Sequence, residues 1–314
     1  AALVVGVITV ATATGATAVT AAGGTGELTL LSTSSSGVKA DFGVTGILSV
    51  SADGSVLVFE SQNSTNLVSG LTNNRQVYAK DVLSGSTTVV SAAADGSPGN
   101  ALSWQARVSS NGRYVAFISD ATNLHPDDTD SDDDVFVKDR VTGEVMLATT
   151  DADGVKGTGT WASGPPRVSD DGETVVFAYN AGLVDEYVGG VEFYAKNLAT
   201  GEVTMLTDPT YPASGTAGTV SLDLTADGST AVVNTFEPLT ADDIEDTARP
   251  DVFAVDTATG AATLVSVPSG GESDTVSGAY FPSISDDGTT VTYQGFHRGL
   301  TSSTQTQVWT KDLT

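Results

Sequence analysis

The chain has 314 residues, with 39 acidic and 13 basic side chains that give a formal net charge of −26, and it contains no cysteine. This acidic excess excludes a nucleic-acid-binding surface built on Lys and Arg, and it disfavours contact with an anionic membrane. The absence of cysteine excludes disulfides, thiolate zinc sites and cysteine nucleophiles. Glycine, threonine, serine, valine and aspartate are abundant, which predicts an all-β protein of short strands joined by turns.

Residues 1–22 form a segment of different character. An apolar run from Leu3 to Ala11 is followed by small residues, including Ala16 to Ala18, in the pattern of a secretory signal and its cleavage site. The run is too short to span a bilayer as a helix. We therefore expect a secreted, periplasmic or cell-surface protein with one domain over residues 23–314. The alternative is a retained strand or tail that joins the sheet edge of a neighbouring subunit.

A turn signal followed by an apolar strand recurs five times along the remaining chain. In each copy a Ser or Thr precedes Asp-Gly or Asn-Gly, as in Ser109 to Gly112, and a strand rich in Val and aromatic residues follows. The turn glycines are spaced by 58, 60, 56 and 60 residues, at Gly54, Gly112, Gly172, Gly228 and Gly288. Because these dipeptides tolerate positive φ, each copy predicts a tight hairpin.

A second strand signal follows each of these hairpins. It ends in Asp or Asn and occurs at Val77–Asp81, Val135–Asp139, Phe193–Asn197, Val252–Asp256 and Val308–Asp312. In the first four copies another glycine turn and a further strand come next, with the turn glycines Gly85, Gly143, Gly201 and Gly260. Each copy therefore predicts four antiparallel strands, which we call a to d from the inside outward.

The fifth copy lacks strand d, and a matching strand lies at the other end of the chain. The segment Thr25–Ser32 matches the d strands of other copies, for example Thr142–Ala148. A ring closed by the two termini satisfies both strand edges, whereas a linear array leaves a half sheet at each end. The sequence predicts a five-bladed β-propeller of four-stranded antiparallel blades, closed by pairing of residues 27–32 with residues 307–312.

The second copy, Val108 to Thr150, carries a recognisable motif. It reads Ser-x-Asn-Gly-Arg-Tyr-Val-Ala-Phe, then Ala-Thr-Asn-Leu, then Asp-Val-Phe-Val-Lys-Asp-x-x-Thr-Gly. This pattern resembles the WD40-like PD40 repeat of the TolB-like β-propeller family, and the resemblance extends over residues 25–314. It implies the propeller fold and, for function, only a range of roles from interaction module to peptidase-attached domain. The N-terminal α/β domain of TolB has no match in this sequence, so its envelope role is not carried over.

The two ends of the predicted sheets differ in their connections. The a–b and c–d turns are short, whereas the b–c and d–a connections at the opposite end are long and variable, and long loops on a rigid scaffold usually carry binding. Trp104, Trp161 and Tyr280 lie near the inner strands at this loop-rich face, where rings can stack on a sugar or contact a cationic peptide. The alternative is that the two tryptophans pack between blades. The predicted partner is an unidentified protein or glycan.

An acidic run in the b–c loop of the second copy is a candidate metal site. Asp128, Asp130, Asp132 and Asp134 occupy alternate positions, and carboxylates that converge in a loop can supply the oxygens that calcium prefers. The glycine and distal glutamate of an EF-hand are missing. The alternative is a solvated loop in which Asp residues cap turns.

The sequence offers few residues for catalysis. His125 and His297 are the only histidines, no Gly-x-Ser-x-Gly motif occurs, and basic residues are sparse. We therefore predict a non-catalytic binding or scaffolding module. Two alternatives remain: a polysaccharide lyase or hydrolase of propeller fold, and a structural subunit whose N-terminal strand joins its neighbour.

Overall fold

The computed structural model describes most of the chain from residue 28 onward. The described residues are 28–71, 74–208, 221–241, 243, 249–267, 276–297 and 306–314, together with the backbone of strands β1 (Thr12–Ala13) and β2 (Ala16–Thr17), which pair with each other. The remainder of the predicted signal-like segment, residues 1–22, lies outside the described residues. That assignment stays a prediction, as does the domain boundary after it.

Nineteen further strands form five antiparallel sheets in chain order. The first sheet contains β3 (Val44–Val50), β4 (Val56–Gln62), β5 (Arg75–Asp81) and β6 (Thr87–Val89). The second contains β7 (Ser103–Val108), β8 (Tyr114–Ser119), β9 (Asp134–Asp139) and β10 (Val145–Leu147). The third contains β11 (Ala162–Val168), β12 (Thr174–Tyr179), β13 (Glu192–Asn197) and β14 (Val203–Met205). The fourth contains β15 (Leu222–Leu224), β16 (Thr230–Thr235), β17 (Asp251–Asp256) and β18 (Ala262–Leu264), and the fifth β19 (Val276–Ile284), β20 (Thr290–His297) and β21 (Gln307–Asp312).

The predicted a–b hairpins are confirmed, and their side chains explain the Ser-x-Asp-Gly motif. In the first sheet the Ser51 hydroxyl donates to Asp53 Oδ1 at 2.7 Å and accepts from the backbone N–H of Val56 at 3.0 Å. Gly54 takes the left-handed conformation with φ of 72°. The motif therefore closes the turn with side-chain hydrogen bonds that need a hydroxyl, a carboxylate or amide, and a glycine in this order.

A β-bulge bends the inner strand of four sheets, and the sequence gives little sign of it. The register between the a and b strands shifts in the first, second, third and fifth sheets. The residues with positive φ at these register shifts are the glycines Gly46, Gly164 and Gly278, together with Gln105 in the second sheet and Phe281 in the fifth, whose strand shifts register twice. Bulges of this kind increase the local twist of a strand and turn its side chains toward a new direction.

The hydrophobic core lies between neighbouring sheets. One cluster joins Val58 and Val77 of the first sheet to Phe117 and Phe136 of the second, and equivalent clusters join the second to the third, the third to the fourth and the fourth to the fifth. The inner strands β3, β7, β11, β15 and β19 contact one another in that order. Because both faces of a central sheet are covered, its b and c strands, such as β8 and β9, are buried at every position.

The predicted closure by the N-terminal strand is not formed in this structure. Among the described residues the fifth sheet has three strands and β21 pairs with β20 alone, while residues 28–32 belong to no strand. Leu48 and Val50 on β3 are each 58% exposed, whereas Ala106 at the repeat position of Leu48 is fully buried. The seam between the fifth and first sheets is therefore open, because the segment after residue 28 is held by the first sheet alone.

No helix in the described part of the chain is long and apolar enough to cross a bilayer.

Candidate functional site

The b–c loop of the second sheet brings three carboxylates around one ammonium group. Asp128, Asp130 and Asp134 each offer an oxygen within 4.8 Å of the others, and Lys156 reaches them from the d–a loop that follows the same sheet. The Lys156 Nζ lies 2.7 Å from Asp130 Oδ1, 3.1 Å from Asp134 Oδ2 and 3.9 Å from Asp128 Oδ1. The cluster therefore ties together the two long connections of one sheet.

Two members of this acidic cluster are buried. Asp128 is 2% exposed and neither of its oxygens has a hydrogen-bond donor among the described residues, while Asp134 Oδ1 accepts a hydrogen bond from the Thr149 hydroxyl. Burial raises the pKa of Asp128 to about 6 and that of Asp134 to about 7. Burial opposes the charged form of Lys156, but the hydrogen bond to Asp130 and the charge of Asp134 raise its pKa overall.

The structure brings together three of the four predicted calcium ligands. Asp132 lies outside the cluster, and its backbone N–H donates to Asp130 Oδ1 at 3.1 Å, which shapes the turn. Lys156 was not predicted, because it lies 26 residues from Asp130 in a different loop. Three carboxylates with one ammonium retain a net negative charge, and the unpaired oxygens of Asp128 are suited to a divalent cation.

The three predicted aromatic residues lie on three different inner strands or just before them. Trp104, in β7, is half-buried and packs against the apolar cluster between the second and third sheets. Trp161 immediately precedes β11 and is 37% exposed, and its backbone N–H donates to Asn180 Oδ1 at 2.9 Å. The ring of Tyr280, in β19, lies 6.4 Å from that of Phe281. Packing between blades thus describes Trp104, whereas Trp161 remains available to a partner.

A buried polar pair at the loop-rich end of each complete sheet was missed by the sequence reasoning. A polar side chain at the first or second position of strand c accepts a hydrogen bond from the hydroxyl of a Ser or Thr that lies 15 residues later in the chain. These pairs are Gln76 with Ser91, Asp134 with Thr149, Glu192 with Thr207 and Asp251 with Ser266. The signal was the polar residue two positions before the aromatic residue of each c strand, such as Gln76 before Tyr78.

One of these pairs belongs to a second group of perturbed carboxyls. Burial raises the pKa of Glu192 to about 6, and burial together with the charge of Glu192 raises the pKa of Glu237 to about 8. Glu237 Oε2 accepts the backbone N–H of Asp208 at 3.1 Å. Glu237 is therefore protonated at neutral pH and charged only above it.

His125 lies in the same loop as the acidic cluster. Its Nδ1 accepts the backbone N–H of Asp127 at 3.3 Å and lies 3.7 Å from the carboxylate of that residue. Residues 93–95, 122–126, 128 and 129 line a shallow groove of about 540 Å³ that includes His125. The side chain of His297 lies outside the described residues.

Comparisons with known proteins give a fold and no sequence family. No family model matches the chain, and no curated protein matches it. Among solved structures, the β-propeller domain of the Trilobed protease from Pyrococcus furiosus, described as having an open velcro topology, has 12% identity and a TM-score of 0.50, over 87% of this chain and 69% of that one. An acylaminoacyl peptidase has 10% identity and a TM-score of 0.50, over 88% of this chain and 39% of that one. TolB from Acinetobacter baumannii has 18% identity and a TM-score of 0.45. The match covers 82% of this chain but only 50% of that one, so this chain spans about half the length of TolB.

The likeness to the Trilobed protease domain, together with the five sheets, shows that the chain has a β-propeller fold. The fold implied by the predicted resemblance to TolB-like propellers is thereby confirmed.

Proposed function

We propose that the chain is a non-catalytic propeller module that binds a protein partner through the loop-rich end of its sheets. The observation that carries this proposal is the contrast between the two ends. At the turn end the hairpins repeat one set of side-chain contacts, as in Ser51 with Asp53 and Ser169 with Asp171. At the other end, connections such as residues 120–133 and 180–191 differ in sequence, and the first of them carries Asp128 and Asp130 of the acidic cluster. Variable loops on a repeated scaffold are where specificity arises.

The charge of this end favours a basic partner. Asp127 and Asp130 are exposed at this end, and Trp161, which precedes the inner strand of the next sheet, is 37% exposed. A net charge of −26 steers a cationic protein surface toward the module, and a tryptophan face can then contact Arg or Lys of that surface. The signal-like pattern at residues 1–22 supports a role outside the cell or in the periplasm. No observation on the described residues favours a glycan.

The proposal is tested by separating binding from packing. We expect Trp161→Ala to weaken retention of proteins from an extracytoplasmic extract while leaving the melting temperature unchanged. Trp104→Ala should instead lower the melting temperature, since its ring packs between sheets. Val141→Ala, in a c–d turn at the opposite end, is the matched control. Normal retention by Trp161→Ala would contradict the assignment of the face.

We also propose that Asp128, Asp130 and Asp134 hold a calcium ion that joins the two loops of the second sheet. The unpaired oxygens of buried Asp128 and the separation of the three ligand atoms support this. Calcium should raise the melting temperature by mass action, and the Asn variant of Asp128, Asp130, Asp132 and Asp134 should lose that response. Equal melting curves with calcium and with chelator would refute the site.

We propose further that the ring closes in solution through residues 28–32. Lys80 Nζ lies 3.2 Å from the carbonyl oxygen of Thr33, as Lys138 Nζ lies 2.9 Å from that of Ala92 and Lys196 Nζ 3.1 Å from that of Thr150. Thr33 therefore holds the repeat position that directly follows strand d, and residues 28–32 hold the positions of strand d itself.

Side chains on both sides of the open seam also match. Ser32 and Gln307 occupy the repeat positions of Ser91 and Gln76, which hydrogen-bond at 2.6 Å in the first sheet. Leu28 is 98% exposed and Val308 74% exposed, and burying a Leu or Val side chain fully is worth about 1.5–3 kcal/mol. Closure would thus pair the β21 edge and cover apolar surface.

A cross-link tests the closure in its register. The pairing of Ala79 with Thr88 in the first sheet places Thr310 opposite Thr29 in the closed ring. The chain lacks cysteine, so Thr29→Cys/Thr310→Cys should form one intramolecular disulfide on oxidation, and Thr29→Cys/Thr314→Cys should not. Disulfide-linked dimers would instead show that the strand joins a neighbouring subunit, and free thiols would refute both arrangements.

A further inference from the structure

The inner strands carry a belt of five polar side chains at one repeat position. In each sheet the residue pairs with the b strand just before the a–b turn, and the five residues are Ser49, Arg107, Arg167, Asp223 and Ser283. All of them except Ser283 line a cavity of about 310 Å³ that every inner strand borders. The belt therefore surrounds the channel between the five sheets.

Most of the belt is satisfied by contacts between neighbouring sheets. Arg167 Nε donates to Asp223 Oδ1 at 2.8 Å, and the Ser283 hydroxyl donates to Asp223 Oδ2 at 2.7 Å. Ser49 Oγ accepts the backbone N–H of Val108 at 3.1 Å. Each of these groups already has a partner, so none of them requires a ligand.

Arg107 is the exception in this belt. Its guanidinium donates to the backbone carbonyl of Leu48 at 2.9 Å, and no carboxylate of the described residues lies within 4.0 Å of it. By contrast, Arg75 pairs with Glu60 and Arg113 pairs with Asp139. Burial, together with the charge of Arg167, lowers the pKa of Arg107 to about 10, so the group still carries its charge at neutral pH.

The surroundings of Arg107 favour one negative charge over two. Arg107 and Arg167 bring two positive charges to the cavity, and Asp223 and Asp286 bring two negative ones. Asp286 Oδ1 accepts a hydrogen bond from the Ser110 hydroxyl at 2.7 Å. Val108, Leu224 and Ile284 also border the cavity, but their side chains belong to the apolar clusters between the sheets. The charge of a monoanion is neutralised by Arg107, whereas the second charge of a dianion would find Arg167 already paired with Asp223.

We propose that the channel binds a small organic monocarboxylate, whose carboxylate pairs with Arg107 while the rest of the molecule lies between the inner strands. The planar guanidinium donates two parallel hydrogen bonds to a carboxylate, which gives a geometric as well as a charge preference. A cavity of this size is at the lower end of small-molecule pockets. This inference is independent of the proposed partner surface, which lies on the long loops.

The test uses butyrate as the probe and butyramide as its neutral isostere. The side-chain N–H resonances of Arg107 are followed by NMR at constant ionic strength. We expect saturable shifts with butyrate, none with butyramide, and weaker binding of phosphate. Loss of one charge-assisted contact should weaken butyrate binding by roughly tenfold or more in Arg107→Gln, with Arg107→Lys in between. Arg113→Gln, outside the channel, is the control and should bind as the wild type does.

Three results would overturn the proposal. The first is unsaturable shifts with butyrate, and the second is equal binding by wild type and Arg107→Lys or Arg107→Gln. The third is binding of phosphate more tightly than butyrate, which would assign the channel to a different anion. If Arg107→Gln fails to fold, the comparison of the wild type with Arg107→Lys decides the test, because lysine keeps the positive charge but cannot donate two parallel hydrogen bonds to a carboxylate.

Discussion

Replacing Lys156 by Gln should expose how the acidic loop is held together. In the wild type its ammonium is within 4.0 Å of three carboxylates, and the side chains of two of them, Asp128 and Asp134, are fully buried. Glutamine keeps much of the side-chain length and removes the charge. Three carboxylates with ligand atoms within 4.8 Å then face one another without a cation.

The size of the effect follows from the burial of the pair. Breaking a buried ion pair by removing one partner costs about 3–5 kcal/mol. The Asp130 side chain is half exposed and the other two acids can take up protons, so we expect the lower end, about 3 kcal/mol at pH 8. Unfolding entropy is about 2.1 cal/mol/K per residue, so for a domain of about 290 residues each kcal/mol lowers the melting temperature by roughly 1.6 °C, which predicts a decrease of about 5 °C.

The dependence on pH and calcium has a definite sign. The pKa values of Asp128 and Asp134 are raised in the folded state, so their contribution to stability is present at pH 4 and is lost as the pH rises through about 6 and about 7. The Lys156→Gln defect, measured by calorimetry in chelator, should therefore be large at pH 8 and small at pH 5. Calcium should raise the melting temperature more in the variant, because the competing ammonium is gone.

Lys39→Gln is the matched control for this experiment. The backbone of Lys39 forms an isolated β-bridge with Thr33, as that of Lys156 does with Thr150 at the same position of the repeat. Unlike Lys156, Lys39 is exposed. We expect its substitution to change the melting temperature by less than about 1 °C. If Lys156→Gln melts like Lys39→Gln in chelator at pH 8, the carboxylates are not coupled and the electrostatic reasoning fails.

Two further predictions concern the fold. Because the pKa of Glu237 is raised to about 8, the free energy of unfolding should fall between pH 5 and pH 9. Glu237→Gln should flatten this pH dependence, whereas the control Glu202→Gln, at an exposed residue, should not. Equal pH dependence in the two variants would contradict the assignment. Gly46 has φ of 75°, and a Cβ there would collide with Glu60, so Gly46→Ala should lower the free energy of unfolding by about 2 kcal/mol or more, measured in urea. Gly54 has a similar φ but open space around it, and Gly54→Ala is therefore the control for backbone strain alone. An equal loss in Gly54→Ala would show that the collision with Glu60 contributes nothing.

The local hairpins could be predicted from the sequence because each is encoded within a few residues. Gly112 and Gly143 adopt the positive φ that Asn-Gly and Thr-Gly turns require, and the strands beside them follow the apolar runs. Contacts between distant segments could not be predicted in this way. Lys156 enters the acidic cluster from another loop, and the belt position of Arg107 becomes visible only when the strand registers are known.

The bulges and the seam illustrate the same limit. Gln105 and Phe281 hold a conformation that their residue types disfavour, and only the surrounding sheet selects it. The terminal strand match indicated a closed ring, but closure depends on how the fifth sheet meets the first, which no local motif encodes.

Photo-cross-linking from the two ends of the sheets tests the proposed function most directly. A benzophenone amino acid is placed at position 161, at the loop-rich end, and in separate variants at Leu83 and Val141, which are exposed in c–d turns at the opposite end. Each variant is irradiated with an extracytoplasmic extract of the source cells. We predict a discrete cross-linked protein from position 161 that is absent from the two turn positions. Cross-links from the turn positions and none from position 161 would contradict a partner site on the loop-rich end.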